Sequence, residues 1–165
     1  MTKNTVNEIE RMVVTRVFDA PRELVWKAWT DAKYVMQWWG PKGFTSPCCK
    51  MDFRVGGKFL CCMRSPDGWE GWNAGEYHEI VPYDKIVSLM YFSDPEGSKI
   101  DPAQLGIEDE AIEGAHDVTL FEDLGNGQTR LTHIGNEPME SAKNSGQFEG
   151  WNETLEKVAA VVAGL

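Results

Sequence analysis

The chain has 165 residues, 42% of them hydrophobic, with seven Trp, seven Phe and four Tyr, which is enough apolar material for a packed core and excludes disorder. One domain is expected at this length, burying roughly 68–70% of the surface that the unfolded chain exposes. A formal charge of −10 with no compensating Lys/Arg cluster repels phosphate backbones and excludes nucleic acid as a partner.

The first residues, MTKNTVNEIERM, are polar and acidic and do not read as a signal peptide. The longest strictly apolar run, Val158 to Ala163, is far short of a membrane span. A soluble cytoplasmic protein is expected. Residues 1–11 read as a flexible lead-in and 12–165 as a single domain. Met12 to Phe18 is β-branched and short, a first strand. Asp19-Ala20-Pro21 offers a cap and a first-turn proline, and Leu24, Val25, Ala28 and Trp29 then follow helical offsets. Thr30-Asp31 can cap a second short helix that stops at Gly40-Pro41.

From Phe44 onward the period changes to two. Cys49, Met51 and Phe53 alternate with Lys50, Asp52 and Arg54, and after Gly56-Gly57 the residues Phe59, Cys61 and Met63 alternate likewise. Further strands run from about Trp72 to Val81 and from Ile86 to Phe92. Residues 94–115 are acidic and rich in Gly and Pro, and read as a long loop with one turn of helix, a mobile flap over one end of the sheet. Val118 to Glu122 and Thr129 to Ile134 form a hairpin around Asn126-Gly127. Phe148, Trp151, Leu155, Val158 and Val162 make one apolar stripe, and a single long helix is expected over about 141–163, with Glu153 and Lys157 able to pair across it.

Strands joined by short turns are antiparallel, and a sheet with one apolar face needs cover. The expected class is therefore α+β: a curved antiparallel sheet of six or seven strands wrapped around the long C-terminal helix, with two short helices after the first strand. Sheet and helix part near the sheet's open end and leave room for a cavity.

The run from Phe18 through Asp19-Ala20-Pro21 to Asp31 resembles the opening of helix-grip proteins of the START/birch-pollen-allergen superfamily. Trp38-Trp39-Gly40-Pro41, the Asp52–Gly57 segment, Pro66-Asp67-Gly68, the Gly75–Pro82 segment and Gly150-Trp151 resemble the branch named after the activator of the heat-shock-protein-90 ATPase. The likeness spans residues 12–163 in family order. It implies a helix-grip fold with a deep apolar cavity, no prosthetic group or other cofactor, and no shared catalytic triad. The superfamily holds lipid carriers, hormone receptors, cyclases and co-chaperone domains, so fold alone leaves the chemistry open. The eukaryotic co-chaperone joins such a domain to a separate chaperone-binding domain for which 165 residues leave no room. Chaperone contact stays an open partner, and chaperone stimulation is not expected.

Strand parity gives the candidate binding residues. Met51, Phe53, Phe59, Met63, Tyr77, Val118, Leu131 and His133 are expected to face Phe148, Trp151 and Leu155 across the cavity. Cys49 and Cys61 share that inward parity, and Trp26, Trp29, Trp38 and Trp39 flank the mouth. Taken singly, each of these residues is better explained as dry core. As a set, Met, Phe and Trp suit an adaptable apolar pocket. Glu79 shares parity with Tyr77 and would gain acid–base character if inward, although a place at the rim, paired with Arg or solvent, is the better explanation.

Neither the three His nor the four Cys have metal-ligand spacing, and no nucleophile elbow or phosphate loop occurs, so no catalytic or metal residue is assigned. The turn at Gly56-Gly57 sets Cys49 opposite Cys61 and Met51 opposite Phe59. Each cysteine doublet is thereby split between the two faces, leaving a reactive outer pair and an inert inner one. The leading expectation is a binding module for an apolar small molecule. The alternatives are a cyclase- or isomerase-type enzyme using Glu79 or His133, and a co-chaperone or regulatory interaction domain.

Overall fold

The computed structural model describes residues 10–106, 111, 112 and 114–165. Seven strands form one sheet: β1 (Arg11–Phe18), β2 (Cys49–Met51), β3 (Lys58–Arg64), β4 (Glu70–Val81), β5 (Lys85–Ser93), β6 (Asp117–Gly125) and β7 (Gln128–Pro138). Their order across the sheet is β1-β7-β6-β5-β4-β3-β2, and every pair is antiparallel. Helices α1 (Arg22–Thr30) and α2 (Ala32–Trp38) follow β1, and α3 (Met139–Ser145) and α4 (Gln147–Ala163) close the chain. This is the α+β helix-grip arrangement read from the sequence.

Asp31 caps α2 as expected, its carboxylate accepting from the Lys33 amide at 3.1 Å. Asp19 does not cap α1; Pro21 occupies that position without a side-chain bond. The two helices are pinned together by the Trp38 indole, which donates to the Ala28 carbonyl at 2.8 Å. The expected terminal helix is broken once, at Gly146, whose φ of +84° only glycine adopts readily.

On α4 the stripe of Leu155, Val158 and Val162 is buried against Val14 and Phe18 of β1, Val25 and Ala28 of α1 and Val35 of α2. Lys157 does not serve a Glu153 pair. Its ammonium donates to the carbonyls of Gly40 and Phe44, both at 3.0 Å, and burial lowers its pKa. Thr154 adds a bond to Gly40 at 3.1 Å, so the loop after α2 is stitched to α4.

Among its described residues, the segment 94–115 contains a turn at Asp94–Ser98 and a 3₁₀ turn at Pro102–Leu105. Its residues 107–110 and 113, on which the flap expectation falls, lie outside the described residues, as do residues 1–9 of the lead-in.

Candidate functional site

The cavity lies between the sheet's concave face, α2 and the first turns of α4, in two chambers. An inner chamber of about 60 Å³ is lined by Met51, Phe53, Phe59, Cys61 and Tyr77 from the β2–β4 side and by Ser88, Asp117, Thr119 and His133 farther along the sheet. An outer chamber of about 330 Å³ is lined by Met63, Asn73 and Phe92 of the sheet and by Ser145, Gly146 and Gln147 at the α3–α4 joint. Trp38, Trp39, Met90 and Trp151 border both. The mouth thus opens beside the helix break.

Antiparallel register explains the lining. Phe59, Cys61 and Met63 of β3 sit opposite Gly75, Asn73 and Gly71 of β4, so the inner end of β4 is kept small where the ring of Phe59 lies over it. Of the candidate residues, Trp39, Met51, Phe53, Phe59, Cys61, Met63, Tyr77, His133 and Trp151 line one or both chambers.

The others do not. Leu131 and Leu155 are closed core, and Cys49 is buried beside Cys61. Phe148 packs against the core under the Lys143 ammonium. Trp26 makes edge contacts with Phe53 and Phe121 and seals α1 to the sheet instead of flanking the mouth.

Two inward placements are corrected. Glu79 is exposed and pairs with Lys85 at 3.2 Å, because a bulge between Tyr77 and Glu79 adds a residue to β4 and hands the inward position on to Ile80. Val118 lies on the outer face, because a bulge between Asp123 and Gly125 sets Thr119 opposite His133 and Phe121 opposite Leu131. The inward residues of β6 are therefore Asp117, Thr119 and Phe121, none of which the sequence reading placed inward, nor did it place Ser88, Met90, Asn73 or Phe92 in the chamber walls.

Asp117, Thr119 and His133 form a polar cluster in an otherwise apolar wall. The Thr119 hydroxyl lies 2.9 Å from His133 Nδ1. His133 Nε2 is 3.9 Å from Asp117 Oδ1, too long for a hydrogen bond. His133 Nε2 and Asp117 Oδ2 are buried with no hydrogen-bond partner among the described residues. The imidazole stacks on Trp151 with centroids 4.1 Å apart.

Burial, reinforced by the Arg11 guanidinium, lowers the His133 pKa to about 3 and keeps the ring neutral. Burial raises Asp117 to about 7 against the opposing pull of Arg11 and of the Asp117 and Met90 backbone N–H groups that face the carboxyl. Arg11 itself is committed to the carbonyls of Gly135, at 2.8 Å, and His116.

The cysteine register is as expected: Cys49 opposite Cys61, Met51 opposite Phe59, and the Cys62 amide donating to the Cys48 carbonyl at 2.8 Å. The outer pair is less open than expected. Cys62 is fully covered, and burial together with the nearby Glu70 carboxylate raises its pKa to about 11. Cys61 is raised strongly, first by its hydrogen bond with Cys49 and then by burial. Among the described residues no group of three or more His, Cys, Asp or Glu could hold a metal ion.

An antiparallel sheet gripping a terminal helix around an aromatic-walled cavity with one polar end defines a helix-grip domain. Residues 19–163 match the family described as activator of Hsp90 ATPase homolog 1-like protein, and the chain belongs to that family.

Solved structures agree in fold. A protein from Arthrobacter aurescens is 26% identical, with 93% of this chain and 86% of that one covered and a TM-score of 0.76. One from Nitrosomonas europaea is 20% identical over 95% and 96%, with a TM-score of 0.72. A Silicibacter pomeroyi protein bearing the family's name is 22% identical over 92% and 96%, with a TM-score of 0.67. No curated protein matches the chain. Among the described residues no helix is long and apolar enough to cross a membrane.

Proposed function

We propose that this protein is a small-molecule binding module that holds an apolar ligand between the sheet and α4. The observation that carries this reading is the outer chamber of about 330 Å³, which falls in the usual range for ligand sites and is walled by Trp38, Trp39, Met63, Met90, Phe92 and Trp151. Four free cysteines suit a reducing compartment and support action in the cytoplasm.

Denaturing the purified protein and analysing the released molecules by mass spectrometry tests the reading. A near-equimolar apolar compound is expected. A protein that releases nothing, and takes up nothing from an apolar metabolite extract, would sink it.

One observation favours a second reading, an acid–base enzyme. Asp117 is an inward acid with a raised pKa beside His133, the pattern that proton-transfer sites use. The bound compound decides between the two, because a binder returns it unchanged and an enzyme returns a product. The family description names activation of the Hsp90 ATPase. An ATPase assay with purified Hsp90 tests that activity separately, with no stimulation as the expected result.

A further inference from the structure

We propose that the inner chamber selects ligands carrying a neutral hydroxyl, seated between His133 Nε2 and Asp117 Oδ2, with an apolar body running past Trp151 into the outer chamber. This rests on the reading that the cavity holds a ligand, and it names the ligand's head group.

Thr119 occupies the Nδ1 side of the His133 ring, which leaves Nε2 as the ring's unused polar atom. Asp117 Oδ2 is unused on the same chamber wall, and both side chains are only 5% exposed. An unmet buried polar atom is destabilising, so two on one chamber wall call for an occupant that meets both. A hydroxyl can accept from Nε2–H while donating to the Asp117 carboxylate, or donate to a bare Nε2 while accepting from a protonated Asp117. Ser88, opposite Asp117 on β5, adds another hydroxyl to the same wall.

Charge then narrows the head group. The charged and titratable groups around the pair are Arg11 from β1, Asp117 from β6, and His133 and Glu137 from β7. Burial first and Arg11 second hold the His133 imidazole neutral, so the site disfavours a second positive charge. An anionic head would meet Asp117, Glu137 and a neutral imidazole, while the donors of Arg11 described above already serve backbone carbonyls. An ammonium and a carboxylate are both mismatched. The neutral hydroxyl of an alcohol or phenol is matched.

Four probes that differ only in head group test this by calorimetry at pH 7: 4-propylphenol, propylbenzene, 4-propylbenzoate and 4-propylbenzylamine. The phenol is expected to bind about tenfold or more tighter than propylbenzene, with both charged probes weaker than the phenol. His133→Phe keeps a ring on Trp151 and should collapse the phenol's advantage while propylbenzene still binds.

Equal affinity for the phenol and propylbenzene in the native protein would overturn the proposal and leave the ligand-binding reading standing. That result would mean that water alone satisfies the two atoms. Tightest binding by either charged probe would overturn it as well. Absence of binding by all four strikes the cavity reading itself and takes this inference with it. The native series decides the matter even if the variant fails to fold.

Discussion

Asp117 and His133 together change what folding does to a proton. In the unfolded chain between about pH 4 and 6.5, the pair holds one proton, on the imidazole. In the folded protein Asp117 titrates near 7 and His133 near 3, so over the same window the pair again holds one proton, now on the carboxyl. Folding relocates that proton without net uptake, and the pair adds little slope to stability against pH. Removing one partner exposes the other, because burial is the first cause of each shift. In His133→Gln the folded state binds more protons than the unfolded one between about pH 4 and 7. Stability should then be highest on the acid side and fall as pH rises, by up to about 1.4 kcal/mol per unit. In Asp117→Asn the folded imidazole stays neutral where the unfolded one is charged, so stability should rise from about pH 3 to 6.5. Urea midpoints across that range check both signs, and profiles of the same slope in the two variants would refute the account. The thiols make a separate residue-scale prediction. Cys48 is half-buried, whereas Cys49, Cys61 and Cys62 are buried. A thiol reagent should therefore label Cys48 first in the native protein and all four thiols only after denaturation. Stoichiometric zinc would contradict the split of the doublets between faces.

At the scale of elements, two glycines with different duties should respond differently to alanine. Gly75 lies under Phe59, where an added Cβ would run into the Leu89 carbonyl and the Phe59 ring. Gly146 has open space around its Cα and needs only its positive φ. Gly146→Ala should cost about 1–2 kcal/mol, the strain of a left-handed residue. Gly75→Ala should cost more, because backbone must shift; chemical denaturation ranks the two, and an equal or reversed order would contradict this packing. Much of the element order was legible in the sequence because its signals are local: Asp31 before α2, the Gly56-Gly57 turn, the alternation on β3 and the apolar stripe of α4. The inward face of β6 was not. The Asn126-Gly127 turn sets Gly125 opposite Gln128, and continued without a bulge it would put the even residues of β6, including Val118, on the face of Leu131 and His133. The bulge at Asp123 to Gly125 reverses that parity and brings Asp117 to the cavity. The bulge after Tyr77 moves Glu79 out of it in the same way. A bulge without a marker residue leaves no sequence trace, yet it decides which carboxylate the site contains. The break at Gly146 was also missed, because the apolar stripe begins only at Phe148 and says nothing about the polar turns before it.

For the whole molecule, the issue is whether the two chambers act as one. Trp151 borders both, stacks on His133 and lies near-parallel to Trp29 with centroids 6.4 Å apart. It is only half-buried, whereas Leu155, one turn along the same helix, is 1% exposed. Truncation in closed core removes transfer free energy and leaves a void, at about 2–5 kcal/mol for Leu→Ala and 3–5 for a buried Trp→Ala. At a chamber wall much of that surface already faces empty space, so fewer contacts are lost. Trp151→Ala should therefore destabilise the protein by less than about 3 kcal/mol and by less than Leu155→Ala, although it removes the larger side chain. It should also widen the passage between the inner and outer chambers and admit apolar probes bulkier than propylbenzene that the native protein excludes. Urea denaturation of both variants, with calorimetry on graded alkylbenzenes, checks the two consequences together. A loss at Trp151 as large as that of a buried Trp, with no widening of probe size, would mean that the tryptophan closes a packed core and that the chambers are separate.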